Sequence, residues 1–141
     1  FFVAAAYAEG QTVTRHLEEL RVKESDRLAT MAEALAAIGA RVVERRDGLV
    51  INGTGGEPLA GGGPIACRLD HRIAMSLAIA GLASRDGVEI DDTRPIATSF
   101  PQFEGLLESL TACASTSTTR SACPAAPWFS ARLLTPTSPG D

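Results

Sequence analysis

Apolar residues fall into helical spacing most clearly at Leu28, Met31, Leu35 and Ile38, with small alanines between them and Gly39 as a stop. This pattern predicts a helix over about residues 23–38, whose first turn carries the charged run Arg21, Val22, Lys23, Glu24, Ser25, Asp26, Arg27. Upstream, the alanine-rich residues 1–8, closed by Glu9 and Gly10, read as the last turns of a helix, and residues 11–16 alternate around Val13 as a strand. Downstream, residues 41–44 and 49–52 flank Arg45, Arg46, Asp47 and Gly48, an antiparallel hairpin signal built on Asp-Gly. Residues 65–69 make a short strand, and Asp70 caps a helix over 71–83 that is apolar on nearly every face and therefore central. A strand over 87–91, a turn over 92–95, an extended stretch over 96–100 and a helix starting at Pro101 with Phe103, Leu106, Leu107 and Leu110 on its apolar face complete the pattern.

The two charged helix starts are where chemistry enters. Lys23 and Arg27 are four apart and share a helix face, yet they sit at the end where the helix dipole is already positive. A bound anion would resolve the conflict by taking backbone N–H groups and charge-assisted bonds from both side chains, leaving Glu24 and Asp26 as acid, base or dipole partners. The alternative is a solvated first turn tethered by those two carboxylates. His71 and Arg72 repeat the arrangement at the second helix, and two such ends facing one cleft would form an anion pocket. Here too a plainer account is open, with His71 a satisfied hydrogen-bonding residue and Arg72 a partner of Asp70. Residues 53–63 hold six glycines in 11 positions, but no Gly-Lys-Ser/Thr follows, so they read as a flexible connection rather than a phosphate loop.

Composition narrows the choice. A chain of 141 residues, 45% apolar, supports one globular domain. A net charge of −4 gives no general attraction to nucleic acid or to an anionic membrane, so an anion site has to be made by local cations. The longest charge-free apolar segment, residues 73–84, is 12 residues long, short of the roughly 20 that span a bilayer. Cys67, Cys113 and Cys123 lack metal-ligand spacing and are odd in number, so neither a zinc site nor a disulfide framework is expected, and a reducing, cytoplasmic setting fits. Residue 1 is Phe, and residues 1–8 have no basic n-region, so the start reads as the interior of a longer protein rather than a signal peptide. Residues 113–141 hold ten Ser or Thr, four Pro and only three charged side chains without helical or strand period, which divides the chain into a domain over 1–112 and a disordered tail over 113–141.

Taken together, Arg21-Val22-Lys23-Glu24-Ser25-Asp26-Arg27-Leu28, then Leu69-Asp70-His71-Arg72-Ile73-Ala74-Met75-Ser76, then Ile96-Ala97-Thr98-Ser99-Phe100-Pro101 resemble the C-terminal domain of the 5-enolpyruvylshikimate-3-phosphate (EPSP) synthase family. The resemblance covers roughly residues 3–110. It implies an α/β fold of repeated βαβαββ units with inward-packed helices, one of two domains that close on substrate. It also implies transfer of the enolpyruvyl group of phosphoenolpyruvate to the 5-hydroxyl of shikimate 3-phosphate with release of phosphate, and no cofactor or metal. By resemblance Lys23 contacts both substrates and takes part in proton transfer, Glu24 is a candidate proton donor or acceptor at the enolpyruvyl carbon, Arg27 and Arg72 hold phosphoenolpyruvate, and His71 lines the site. Thr98 stands where many members have Lys, and the family's catalytic Asp and N-terminal domain would precede Phe1. The remaining alternatives are the related enolpyruvyl transferase acting on UDP-N-acetylglucosamine and a catalytically silent anion-binding module.

Overall fold

The computed structural model describes residues 1–114, so the expected tail lies outside the described residues except for its first two positions, which continue a helix. The elements run α1 (Phe2–Tyr7), β1 (Gln11–Val13), a 3-10 turn (Glu18–Val22), α2 (Arg27–Ala37), β2 (Arg41–Arg45), β3 (Gly48–Asn52), β4 (Gly62–Ile65), α3 (His71–Leu82), β5 (Val88–Ile90), α4 (Arg94–Ser99) and α5 (Phe103–Ala114). From α1 to β3 the order is αβαββ, and β4 to α4 follows as βαβα. The α/β expectation holds.

Strand β3 lies at the centre of an antiparallel sheet in the order β1-β3-β2, with Val13 opposite Val50 and Arg45 opposite Gly48. Its Leu49 and Ile51 are fully buried, because a strand paired on both sides and covered by a helix has one face with no access to water. The hairpin turns through Arg46 and Asp47, and Gly48 is already in the strand. There glycine serves proximity: a Cβ at Gly48 would stand 2.2 Å from the Thr14 carbonyl oxygen. Strands β4 and β5 pair in parallel, as expected for strands joined through a crossover helix, here α3.

The predicted stripe Leu28, Met31, Leu35 and Ile38 is the buried face of α2, none of it more than 5% exposed. Fully burying side chains of this size contributes about 1.5–3 kcal/mol each relative to leaving them in water. Helix α2 packs against the β1-β3-β2 sheet and also against α1 and α3, which places it between sheet and helices. Helix α3 buries Ile73, Ala74, Leu77, Ala78, Ala80 and Gly81, while Ile79 is 43% exposed. The helix is thus central on one side only.

Four expectations are corrected. Helix α2 starts at Arg27 instead of Lys23, because the Asp26 carboxylate accepts from Ala29 N at 3.1 Å and makes Asp26 the cap; Lys23 precedes the helix in extended conformation. Strand β1 stops at Val13, and His16 turns the chain at φ 60°. The fourth strand is residues 62–65, before Arg68 and Leu69, which adopt positive φ. Residues 94–99 are helical: Pro95 presets the first turn, Asp92 accepts from Arg94 N at 2.9 Å, and Ile96 is buried.

The glycine-rich segment is a connection, but one whose donors are committed. Thr54 N, Gly56 N and Gly55 N donate to the carbonyls of Ala6, Tyr7 and Ala8 at 3.0, 2.7 and 3.0 Å, and so satisfy the free C-terminal carbonyls of α1. Those N–H groups are not offered to a phosphate. A Cβ at Gly53 would lie 2.0 Å from the Ala8 carbonyl oxygen, whereas one at Gly105 in α5 meets nothing within 4 Å. Gly53→Ala is therefore expected to lower stability by about 2–3 kcal/mol, and Gly105→Ala to raise it by about 0.5–1 kcal/mol. Urea denaturation of the two variants checks both signs, and equal midpoints would contradict the close approach at Gly53.

Candidate anion site at two helix N-termini

Asp70 is the first residue to place, because it is charged and its side chain is fully buried. One carboxylate oxygen accepts from Arg27 Nε at 2.8 Å and from Ser25 Oγ at 2.9 Å. The other accepts from Arg72 N at 2.9 Å, with Arg27 Nη2 at 3.4 Å. Asp70 therefore caps α3 and at the same time reaches across to the first residue of α2. Sequence reading found the cap but missed the crossing, for which no local signal exists, since Arg27 and Asp70 are 43 positions apart.

Arg27 is mostly buried, with 11% of its side chain exposed, and Glu24 reaches its Nη2 from the solvent side. Arg27 and Arg72 both line one open pocket of about 430 Å³. The walls are mostly apolar, with Phe1, Phe2 and Met31 and, from α3, Ile73, Met75 and Ile79 among the lining residues. The Arg72 guanidinium has no ion pair or hydrogen bond among the described residues. Two cations of the sequence-based set thus converge on one concavity, although they lie 45 positions apart.

The other three candidates are placed differently. Lys23 is exposed and paired with Glu19, outside the pocket lining. Glu24 joins the site only through Arg27, and His71, half-buried at the start of α3, is not among the lining residues. The segment bearing Lys23 is fixed by Arg21, which sequence reading did not single out. Arg21 bridges Asp26 and Glu44, each at 2.8 Å, and donates to the carbonyls of Arg46 and Arg45 at 2.8 and 2.6 Å. Thr98 is exposed on α4. The structure also groups donor atoms of His16, Glu18 and Asp47 within 4.8 Å of one another, all three at or near the surface and away from this pocket.

A family model for EPSP synthase (3-phosphoshikimate 1-carboxyvinyltransferase) matches residues 1–107. The chain belongs to the EPSP synthase family. The 3-phosphoshikimate 1-carboxyvinyltransferase of Novosphingobium aromaticivorans is 67% identical over 113 residues, covering 78% of this chain and 26% of that protein. Its counterpart from Sphingopyxis alaskensis is 69% identical over 109 residues, covering 77% and 24%. The solved EPSP synthase of Acinetobacter baumannii superposes with a TM-score of 0.72 at 46% identity, covering 77% of this chain and 25% of that one. The chain spans about a quarter of the length of the relatives it matches.

Within this EPSP synthase segment the electrostatics turn on Asp70. Burial pushes its carboxyl up, but Arg27, the Ser25 hydroxyl and the Arg72 N–H outweigh burial and hold it below its ordinary value of 3.8. Asp26 behaves alike, with burial opposed by the Ala29 N–H and Arg21. A depressed carboxyl contributes stability that is fully present above the unfolded value and is lost as pH falls through the folded one. Asp70→Asn keeps a capping side chain but leaves Arg27 with Glu24 alone. It should cost about 3 kcal/mol at pH 7, the lower end for a broken buried pair because Glu24 still neutralises Arg27. The gap to the parent chain should shrink as pH falls below 3.8. Denaturation curves across that range check this, and a gap that stays constant with pH would contradict it.

Proposed function

We propose that this chain supplies the phosphoenolpyruvate-binding part of an enolpyruvyl transferase that converts phosphoenolpyruvate and shikimate 3-phosphate to 5-enolpyruvylshikimate 3-phosphate and phosphate. The observation that carries the reading is the convergence of Arg27 and Arg72 on one apolar-walled pocket, with Arg27 oriented from behind by a buried carboxylate. Guanidinium groups suit the carboxylate and phosphate of phosphoenolpyruvate, because their planar donors match two oxygens at once. The burial of Arg27 keeps its charge less screened than that of a surface cation, which strengthens it toward an anion.

In this reading the 5-hydroxyl adds to C2 of phosphoenolpyruvate while a proton is delivered to C3, and the reverse proton removal at C3 expels phosphate. Glu24 is the proton donor and acceptor at C3, Lys23 contacts both substrates and takes part in proton transfer, and His71, at the α3 start but outside the pocket lining, joins the site once substrate is bound. Lys23 and Glu24 are both exposed and paired with neighbours in the structure, so each has to leave its present partner to act. The 3-phosphoshikimate contacts and the catalytic Asp come from the remaining three quarters of the family's length. The reaction needs no metal or organic cofactor, no nucleic acid or membrane takes part, and the enzyme works in the cytoplasm. Residues 1–112 form the C-terminal part of the domain, with 113–141 as an appended tail.

The 141-residue chain mixed with both substrates should release no phosphate above background, because half of the acid–base and positioning machinery is missing. Residues 1–107 exchanged for the matching segment of the Novosphingobium relative should restore growth of an auxotroph lacking this enzyme. In that chimaera Arg72→Ala should raise KM for phosphoenolpyruvate roughly ten- to hundredfold, about 1.5–3 kcal/mol of lost charged hydrogen bonding. A chimaera that turns over with an unchanged KM after Arg72→Ala would remove the binding role, and turnover by the chain alone would place a complete site within it. A folded chimaera without activity would favour the silent anion-binding module.

A further inference from the structure

The Arg27 guanidinium has two forks, and the structure uses them unequally. The inner fork, Nε with Nη2, faces the fully buried Asp70 at 2.8 and 3.4 Å. The outer fork, Nη1 with Nη2, is the edge left for a two-pronged bond to an incoming carboxylate or phosphate. On that edge Nη1 has no hydrogen-bond partner among the described residues, while Nη2 is held by Glu24, whose side chain is 56% exposed. Arg72 also lines the pocket, and its guanidinium has no such partner among the described residues.

We propose that Glu24 is an internal competitor for the anion: its carboxylate takes one prong of the Arg27 outer fork and is displaced when the anion binds. The proposal rests on the reading of Arg27 and Arg72 as an anion site and says how that site is gated. The two carboxylates on Arg27 are not equivalent. Asp70 is buried, accepts two further hydrogen bonds, from Ser25 Oγ and Arg72 N, and cannot leave without stranding a charge. Glu24 is at the surface, three residues before Arg27, so water solvates it at once when released, and the exposed pair it gives up is weak. Anion binding then has two consequences from one exchange. Arg27 stays oriented by Asp70, and the Glu24 carboxylate is set free beside the bound anion only when an anion is present. The same pairing keeps the outer fork closed to weaker anions.

The test is titration of phosphoenolpyruvate into the 141-residue chain at low ionic strength, followed by NMR shifts or calorimetry, with Glu24→Gln, Glu57→Gln and Arg72→Ala in parallel. Glu57→Gln changes net charge by the same unit in the glycine-rich connection and controls for general electrostatics. Glu24→Gln should bind phosphoenolpyruvate about two- to fivefold more tightly than the parent, the range that loss of an exposed ion pair allows. That gain should fade at high salt, Glu57→Gln should match the parent, and Arg72→Ala should bind more weakly. Glu24→Gln binding no tighter than the parent, with Arg72→Ala weakened, would overturn the competition and leave the anion site standing. The same gain in Glu57→Gln as in Glu24→Gln would also overturn it. Arg72→Ala binding as well as the parent, or no binding by any form, would overturn both.

Discussion

A carboxylate with no access to water ties the N-terminal ends of two helices together. Asp70 stands where the N-termini of α2 and α3 meet, and both ends carry an arginine in the first turn, where the aligned peptide dipoles are already positive. Left alone, the two ends would repel each other and any cation placed on them. The single negative charge, shared among Arg27, Ser25 and the Arg72 N–H, offsets that repulsion and its own desolvation. The approach of α2 to α3 and the pocket between them both depend on it.

From that arrangement the rest of the site follows with little further specification. Arg27 is anchored through its inner fork on Asp70, while its Nη2 meets the exposed Glu24 and its side chain lines the pocket. Arg72 is placed by its backbone instead: its N–H is fixed to Asp70, and its guanidinium has no partner among the described residues. Behind them the packed stripe of α2 and the buried face of α3 hold the two helix starts in register. Arg21 does the equivalent work for the Lys23 segment, since its ties to Asp26, Glu44 and two hairpin carbonyls join the 3-10 turn to the start of α2 and to the hairpin. The same economy is visible at α1, whose C-terminal carbonyls are satisfied by the glycine-rich segment, so that a stretch resembling a phosphate loop by composition is a helix cap.

The sequence by itself determined whatever short-range physics can encode. The spacing of Leu28, Met31, Leu35 and Ile38 set the buried face of α2; Asp70 before an apolar run set the start of α3; two β-rich runs around Asp47-Gly48 set the hairpin; and the three ordered motifs were specific enough to give the EPSP synthase family. Each of these depends on residues within a few positions of one another, where side-chain period, capping and turn geometry act. Tertiary structure decided the rest. Whether α2 begins at Lys23 or Arg27 depended on which of several charged residues capped it, and Asp26 won because Arg21, itself anchored on the hairpin, fixes its carboxylate. Residues 94–99 carried local helix signals in Asp92 and Pro95, and the burial of Ile96 in the core settled them as a helix. That Asp70 would bind Arg27, 43 positions away, and that Arg72 would be left open beside it, could be known only once α2 and α3 had been brought together, since a buried charge takes the partner that packing delivers to it.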